Sequence, residues 1–472
     1  MNHRDLLLIS DLHLGSHLKP RTRGEYVHLA AEIERSFPQF IAHYMERGRW
    51  QLVINGDFID FWNVEIDATE GDAEALAVAR LHAVLDDHPA VEDAITRFLE
   101  AGNGVVFVAG NHDAEFLYPK VRRALASRLE GGILPESSAS ELSITRTGVQ
   151  VLRRMEAGRV RFVPWFIHEP SGVWIEHGHL FDPACSTNAP LAPMRGGRLV
   201  QTVAEVATRN FANLMPEMDY HAPDSWTVVD YIRWAAGRGL RFVVRVVYLY
   251  LGMVGRMLAL WVRYGRPDKQ GRDNHEAKLT RMAANAGLRM GTLAALEQMA
   301  PPPTAVRIGG VLSVTAMDYV LAFVGGLVSG VAFAFALGRP LGWGLVAGVG
   351  LAAAGIWGVS RNKRARNVGA DMLEVASEVA RVTEVPLVLM GHSHHGELVG
   401  VGGALYANSG SWLDGFHLTA HRDSDGRLAR VDLRRWRNGS VCVEQSRDIP
   451  ELLRADGSPA PPPEVSGVLA GP

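Results

Sequence analysis

The chain has 472 residues and a formal net charge of −3, long enough for one large domain with insertions or for two to three domains. No global basic field argues for nucleic acid, so none is expected as a partner. Two cysteines, Cys185 and Cys442, suit a reducing compartment without excluding an oxidising one.

Met1 to Asp5 run straight into Leu6-Leu7-Leu8-Ile9-Ser10, so no cleaved leader is expected. That apolar run reads as a buried strand. It stops at Asp11-Leu12-His13, whose alternation puts both ligand-type side chains on one side of an extended segment. A helical stretch follows near Tyr26–Arg47. Leu52-Val53-Ile54-Asn55 then repeats the design and stops at Gly56-Asp57-Phe58-Ile59-Asp60. The aromatics of Phe58-Ile59-Asp60-Phe61-Trp62 read as core, and Asp60 as a partner of ligands rather than a ligand. Helical stretches are expected around Ala73–Leu85 and Val91–Ala101. Asn103-Gly104 marks a turn before the third strand, Val105 to Val108, which ends in Gly110-Asn111-His112-Asp113. The fourth strand, Val173 to Glu176, ends in His177-Gly178-His179, and His179 is left between supporting a ligand and touching substrate. His17, His28, His43, His82 and His88 show no paired spacing and read as surface or structural histidines.

From Cys185 to about Ala370 the pattern changes. Val228 to Arg266 mixes apolar residues with seven arginines and no lysine. It is either a membrane-surface helix or a buried helix with arginine on its wet face. Pro301-Pro302-Pro303 reads as a stiff linker. Tyr319–Leu337 and Leu341–Ser360 carry no charge and flank Gly338-Arg339-Pro340. About 20 apolar residues cross a bilayer core, so the pair reads as a transmembrane hairpin. Gly326, Gly330, Gly344 and Gly348 would let its helices approach closely. Arg307 precedes it and Arg361, Lys363, Arg364 and Arg366 follow, which puts both ends in the cytoplasm. The fifth strand, Leu387 to Met390, ends in Gly391-His392-Ser393-His394. Further strands are expected at Gly415–Thr419, Ala429–Trp436 and Ser440–Glu444, and a disordered tail from Ala455.

Five apolar strands, each stopping at Asp-x-His, Gly-Asp, Gly-Asn-His-Asp, His-Gly-His or Gly-His-x-His, resemble the calcineurin-like metallophosphoesterase family. The resemblance spans Ile9 to His394. It implies an α/β protein of four layers, a β-sandwich flanked by helices. It also implies two divalent metal ions. Asp11, His13, Asp57 and His394 would hold one; Asp57, Asn111, His177 and His392 would hold the other, with Asp57 bridging. Carboxylate, carboxamide and imidazole donors suit Mn²⁺ first, then Fe, Zn²⁺ or Mg²⁺. His112 would stand by the leaving oxygen as proton donor or charge stabiliser, oriented by Asp113.

The implied organisation is a catalytic domain in two parts, 1–184 and 367–450. A helical insertion at 185–303, a transmembrane hairpin at 304–366 and a tail at 451–472 complete it. Asp11-Leu12-His13-Leu14, the Gly56–Trp62 stretch and the apolar insertion resemble the UDP-2,3-diacylglucosamine hydrolase branch, which splits a diphosphate on a lipid-bearing substrate. The closest members of that branch carry arginine where this chain has His112. The expected activity is therefore membrane-associated hydrolysis of a phosphoester or diphosphate, with substrate and membrane lipids as partners and no protein partner. The alternatives are hydrolysis of soluble phosphodiesters or nucleotides by a merely anchored enzyme, and a non-catalytic scaffold.

Overall fold

The computed structural model describes residues 4–19, 24–66, 72–130, 160–169, 172–218, 228–265, 268–362 and 368–449. The expected tail and the Lys363–Arg366 cluster lie outside the described residues.

The first half alternates strand and helix: β1 (Asp5–Ile9), α1 (Gly24–His43), β2 (Trp50–Asn55), α2 (Ala73–Asp87), α3 (Pro89–Glu100), β3 (Gly104–Val108), α4 (Pro119–Leu129) and β4 (Val160–Val163). Crossover helices make β1 to β4 parallel neighbours. Local chemistry marks the helix starts. The Asp72 carboxylate accepts the Glu74 N–H ahead of α2, and Pro89 opens α3, where its missing N–H costs nothing.

β5 (Phe166–Glu169) and β6 (Val173–Glu176) form a hairpin, followed by a two-residue pair, β7 (Met194–Arg195) and β8 (Arg198–Leu199). Helices then run unbroken by strands: α5 (Val203–Asn210), α6 (Val228–Ala236), α7 (Leu240–Tyr264), α8 (Lys269–Ala286), α9 (Met290–Met299), α10 (Ile308–Val314), α11 (Met317–Ala336), α12 (Leu341–Asn362) and α13 (Val368–Thr383). The chain ends in β9 (Leu387–Met390), β10 (Gly396–Val401), β11 (Ala404–Ser409), β12 (Phe416–Arg422), β13 (Leu428–Arg437) and β14 (Ser440–Asp448).

The strands make a seven-stranded sheet, β14-β13-β12-β1-β2-β3-β4, and a five-stranded sheet, β10-β11-β9-β6-β5, both of mixed direction. Alternation along the strands assigns their faces. Leu7, Ile9, Val105 and Phe107 pack against α1 to α4. Their neighbours Leu6, Leu8, Val106 and Val108 meet Ile175, Leu387, Leu389 and Ala407 of the second sheet. The far side of that sheet, with Trp174, Val388 and Tyr406, packs on α8, α9 and α13. The expected mixed α/β organisation is present, with two sheets face to face between helices.

Helices α7, α11 and α12 are each long and apolar enough to cross a membrane. The expected hairpin is α11 and α12, turning at Gly338–Pro340. A Cβ at Gly330 would sit 2.2 Å from the backbone nitrogen of Gly348, and one at Gly326 2.3 Å from that of Ala352. The helices therefore touch backbone to backbone, as the glycine spacing suggested.

Candidate metal centre

β1, β2, β3, β6 and β9 all end at the same edge of the two sheets, the edge where open α/β sheets place their sites. Strand direction thus gathers five short motifs from across 384 residues, Asp11 to His394. The turns are sharp. Asp11, His13, Asp57, His392 and His394 all adopt left-handed backbone with φ between 49° and 66°. Three other non-glycine residues do so among the described residues. Few non-glycine residues adopt this conformation, Asp and His more readily than most, and such residues cluster at functional positions. Gly110 serves close approach instead: a Cβ there would lie 2.2 Å from Asp57 Oδ1.

Two groups of donors form. Asp11, His13 and His394 converge, as do Asp57, His177 and His392, the potential ligand atoms of each lying within 4.8 Å of one another. His394 Nε2 is 3.2 Å from Asp11 Oδ1, and His177 Nε2 is 3.3 Å from Asp57 Oδ2. The same Asp57 oxygen is 3.9 Å from His13 Nε2, so one carboxylate oxygen faces both groups. Asp57 Oδ1 is held in place by the His112 backbone N–H at 2.8 Å. Asp11 Oδ1, His13 Nε2, Asn111 Oδ1 and His177 Nε2 are buried without a hydrogen-bond partner. Buried polar atoms left without partners are costly in a folded chain. Carboxylate, carboxamide and imidazole atoms are donors that fit a divalent cation.

The surrounding bonds fit that reading. His177 Nδ1 pairs with the Asn55 carbonyl at 2.7 Å, which turns Nε2 towards Asp57. Ser10 Oγ binds Asp11 Oδ2 and pairs with Ser409 Oγ at 2.7 Å. Burial opposes ionisation of Asp11 and Asp57, yet His394 beside the one and His177 beside the other keep both carboxyls below the usual range. Burial and then His112 push His13 down to about 4, which favours the neutral imidazole, the form able to bind a metal. Several His/Asp/Cys groups here could hold a metal ion.

His112 sits at the rim of this space, its ring 4.5 Å from that of His13 and stacked on Trp62 at 3.8 Å. Its Nδ1 pairs with Asp60 Oδ1 at 2.8 Å. Burial works to lower its pKa, but Asp60 and Asp57 outweigh burial and raise it above the usual imidazole value. The expectation that Asp113 orients His112 is corrected here. Asp113 Oδ2 accepts the Phe58 N–H at 2.7 Å and Oδ1 accepts the Gly110 N–H at 2.6 Å. Asp113 ties two strand-end turns together, and Asp60 does the orienting.

Two neighbours escaped the sequence reading. Asp182 Oδ2 lies 3.4 Å from His392 Nε2; its signal was its place three residues beyond His179. Glu115 is buried beside Glu205 and Arg209, and burial, then Glu205, push it up to about 8. A cleft lined by Trp62, Asn111, His179, Glu115, Gln201 and Glu205 opens next to the centre. His179 thus faces the cleft, with its ring 5.4 Å from that of His177. The inserted helices close over this side: Arg209 of α5 donates to the Phe61 carbonyl at 2.8 Å.

In comparisons with known proteins, no family model and no curated protein matches this chain.

Proposed function

We propose that this chain is a membrane-attached hydrolase of phosphoester or diphosphate bonds, with the four-layer fold and two-cation centre of the calcineurin-like metallophosphoesterases. One observation carries the reading: Asp57 Oδ2 faces His13 and His177 at 3.9 and 3.3 Å amid buried, unpartnered donor atoms. A shared carboxylate is what two cations about 3.5–4 Å apart require. Asp11, His13, Asp57 and His394 would hold one; Asp57, Asn111, His177 and His392 would hold the other. Mn²⁺ is the first candidate for this mixed oxygen and imidazole set, with Fe, Zn²⁺ and Mg²⁺ also compatible. Cations bound there supply an activated water and neutralise charge gathering on the phosphoryl oxygens.

The chain's own side chains do the rest. Asp60 favours the charged form of His112 and anchors its Nδ1, and Trp62 fixes the ring plane. The remaining nitrogen, Nε2, serves a leaving oxygen as proton donor. Trp62 and His179 wall the cleft in which the rest of the substrate lies.

Chain topology constrains the membrane arrangement. β6 and β9 are hydrogen-bonded neighbours in one sheet, so the segment between them leaves and returns on the same side. It must cross an even number of times. The hairpin α11–α12 supplies two crossings, and α7 as a third would strand half of the centre across the bilayer. Helix α7 therefore lies along the surface, with Leu240, Val244, Val247, Tyr248 and Leu251 exposed and Met253, Val254, Met257 and Leu260 buried. Arg307 and Arg361 flank the hairpin and support a cytoplasmic centre. A lipid-linked diphosphate then reaches the cleft from the bilayer surface, as in the UDP-2,3-diacylglucosamine hydrolase branch that the sequence resembles.

The test is turnover of lipid-linked and soluble diphosphates, and of an aryl phosphodiester, by the full chain in one detergent with and without added Mn²⁺. Preference for lipid-linked diphosphates supports the whole reading. Equal turnover of soluble substrates leaves a hydrolase that is merely anchored. No metal-dependent turnover of any of them leaves a scaffold.

A further inference from the structure

A second donor cluster lies behind the centre and shares no residue with it. His17 follows β1, Glu34 is on α1, Asp87 ends α2, and His88 bridges α2 and α3. Pro89 opens α3, so the chain breaks at His88, with φ −122° and ψ 55°, and its ring turns inward. His88 is 1% exposed, and neither of its ring nitrogens has a hydrogen-bond partner. Glu34 Oε2 is buried and unpartnered too, although Oε1 accepts the Ala90 N–H at 2.5 Å.

These groups lie close together. His17 Nε2 is 2.6 Å from Asp87 Oδ2, and the same oxygen is 3.9 Å from His88 Nε2. On the other side of the ring, His88 Nδ1 is 3.4 Å from Glu34 Oε2. The His17 and His88 rings meet edge to face with centroids 5.4 Å apart. One donor atom each from His17, Asp87 and His88 lies within 4.8 Å of the others. Tetrahedral bonds of about 2.0–2.1 Å place donors roughly 3.3 Å apart, which small side-chain rotations reach from here. Two imidazoles and a carboxylate without thiolate form a common zinc-type donor set. A carboxylate facing the far nitrogen of a ligating histidine is the usual way of fixing its tautomer and ring plane.

We propose that His17, Asp87 and His88 form a separate divalent-cation site of zinc type, with Glu34 orienting His88 as a positioning residue. Three protein donors leave a fourth position to solvent, and the Asp87 side chain is 43% exposed, so the ion enters from outside. The site staples the loop after β1 to α1 and to the α2–α3 junction. His17 lies on that loop four residues beyond His13, so the ion stiffens the strained turn carrying Asp11 and His13.

The experiment uses the full chain in detergent, stripped with chelator, reloaded with Co²⁺ and freed of excess ion. Asp57→Ala is expected to retain one Co²⁺ showing the visible bands of tetrahedral cobalt. Adding His17→Ala and Asp87→Asn removes both ion and bands. In the otherwise wild-type chain the same pair lowers bound Co²⁺ by one equivalent, so the result does not depend on Asp57→Ala folding. Both substitutions fall at partly exposed side chains rather than in the core. Unchanged metal content and unchanged spectrum in the His17→Ala/Asp87→Asn chain overturn the proposal. Loss of the Asp57-dependent ions alone bears on the centre above and leaves this site standing.

Discussion

The sheet pair and the hairpin are built from similar apolar residues and pack them in opposite senses. Between the sheets, Leu8, Val106, Ile175 and Leu389 are all buried, and each is worth about 1.5–3 kcal/mol when removed from water. In the hairpin the small residues are inside and the large ones outside. Gly326, Gly330 and Ala334 are buried, while Phe335 is 88% and Trp343 68% exposed. A protein surrounded by water hides its large side chains. A helix pair surrounded by lipid gains nothing by doing so and packs through its smallest ones. The same inversion separates α7 from the hairpin: α7 buries a methionine-rich stripe and shows one apolar face, as an interfacial helix does.

The largest effect expected on the sheet side is Asp57→Ala. Both donor groups lose their shared carboxylate, so neither member of the cation pair should survive purification. Metal analysis decides: a variant that keeps two ions bound by these groups removes the bridging role. His112→Ala should leave the ions in place and slow turnover by about 10²–10⁴-fold. The loss should shrink for substrates with very good leaving groups, which need no proton. An equal loss for every leaving group would make His112 a charge stabiliser, and unchanged rates with poor ones would take it out of the reaction.

The contrast in packing can be broken directly with one residue from each region. Phe107 is 1% exposed and its ring meets Phe58, Phe116 and Phe162 at 5.2–5.8 Å. Phe107→Ala should destabilise the chain by about 3–5 kcal/mol. Phe335→Ala should stay within about 0.5 kcal/mol. Denaturant titration in micelles measures both. Comparable losses would mean that Phe335 is covered by protein rather than by lipid or detergent.

These differences explain what the sequence made legible. Each strand-end motif sat beside its own strand, so the potential donor residues and their order could be read locally. Helices expected near Tyr26–Arg47, Ala73–Leu85 and Val91–Ala101 appear as Gly24–His43, Ala73–Asp87 and Pro89–Glu100. The strands at Gly415–Thr419, Ala429–Trp436 and Ser440–Glu444 appear slightly longer. What stayed hidden depends on partners distant in sequence. Asp113 adjoins His112 in the chain, but the turn sends its carboxylate to the Phe58 and Gly110 amides, and Asp60 arrives from another strand end. His17 and His88 looked unpaired because 70 residues separate His17 from Asp87. For α7, composition fits a span and a surface helix equally, and the argument for the surface arrangement rests on the pairing of β6 with β9, which are distant in sequence.

The finest probe compares two glycines of α11. Gly330 faces its partner helix, and an added methyl would meet Gly348 N at 2.2 Å, Gly348 Cα at 2.3 Å and the Gly344 carbonyl at 2.5 Å. All three are backbone atoms, which cannot rotate aside. Gly330→Ala should therefore push the helices apart at a cost of about 1–3 kcal/mol. Gly325, five residues earlier in the same helix, has nothing within 4 Å of the added carbon. Gly325→Ala should help instead, by about 0.5–1 kcal/mol, because alanine loses less backbone freedom in a helix. Titration with SDS in mixed micelles, followed by far-UV circular dichroism, reads the midpoint of each variant against the parent. Opposite shifts would establish a backbone-to-backbone hairpin with a lipid-facing Gly325. Shifts of the same sign would mean that the two glycines share one environment and that the small-inside, large-outside arrangement of this arm is wrong.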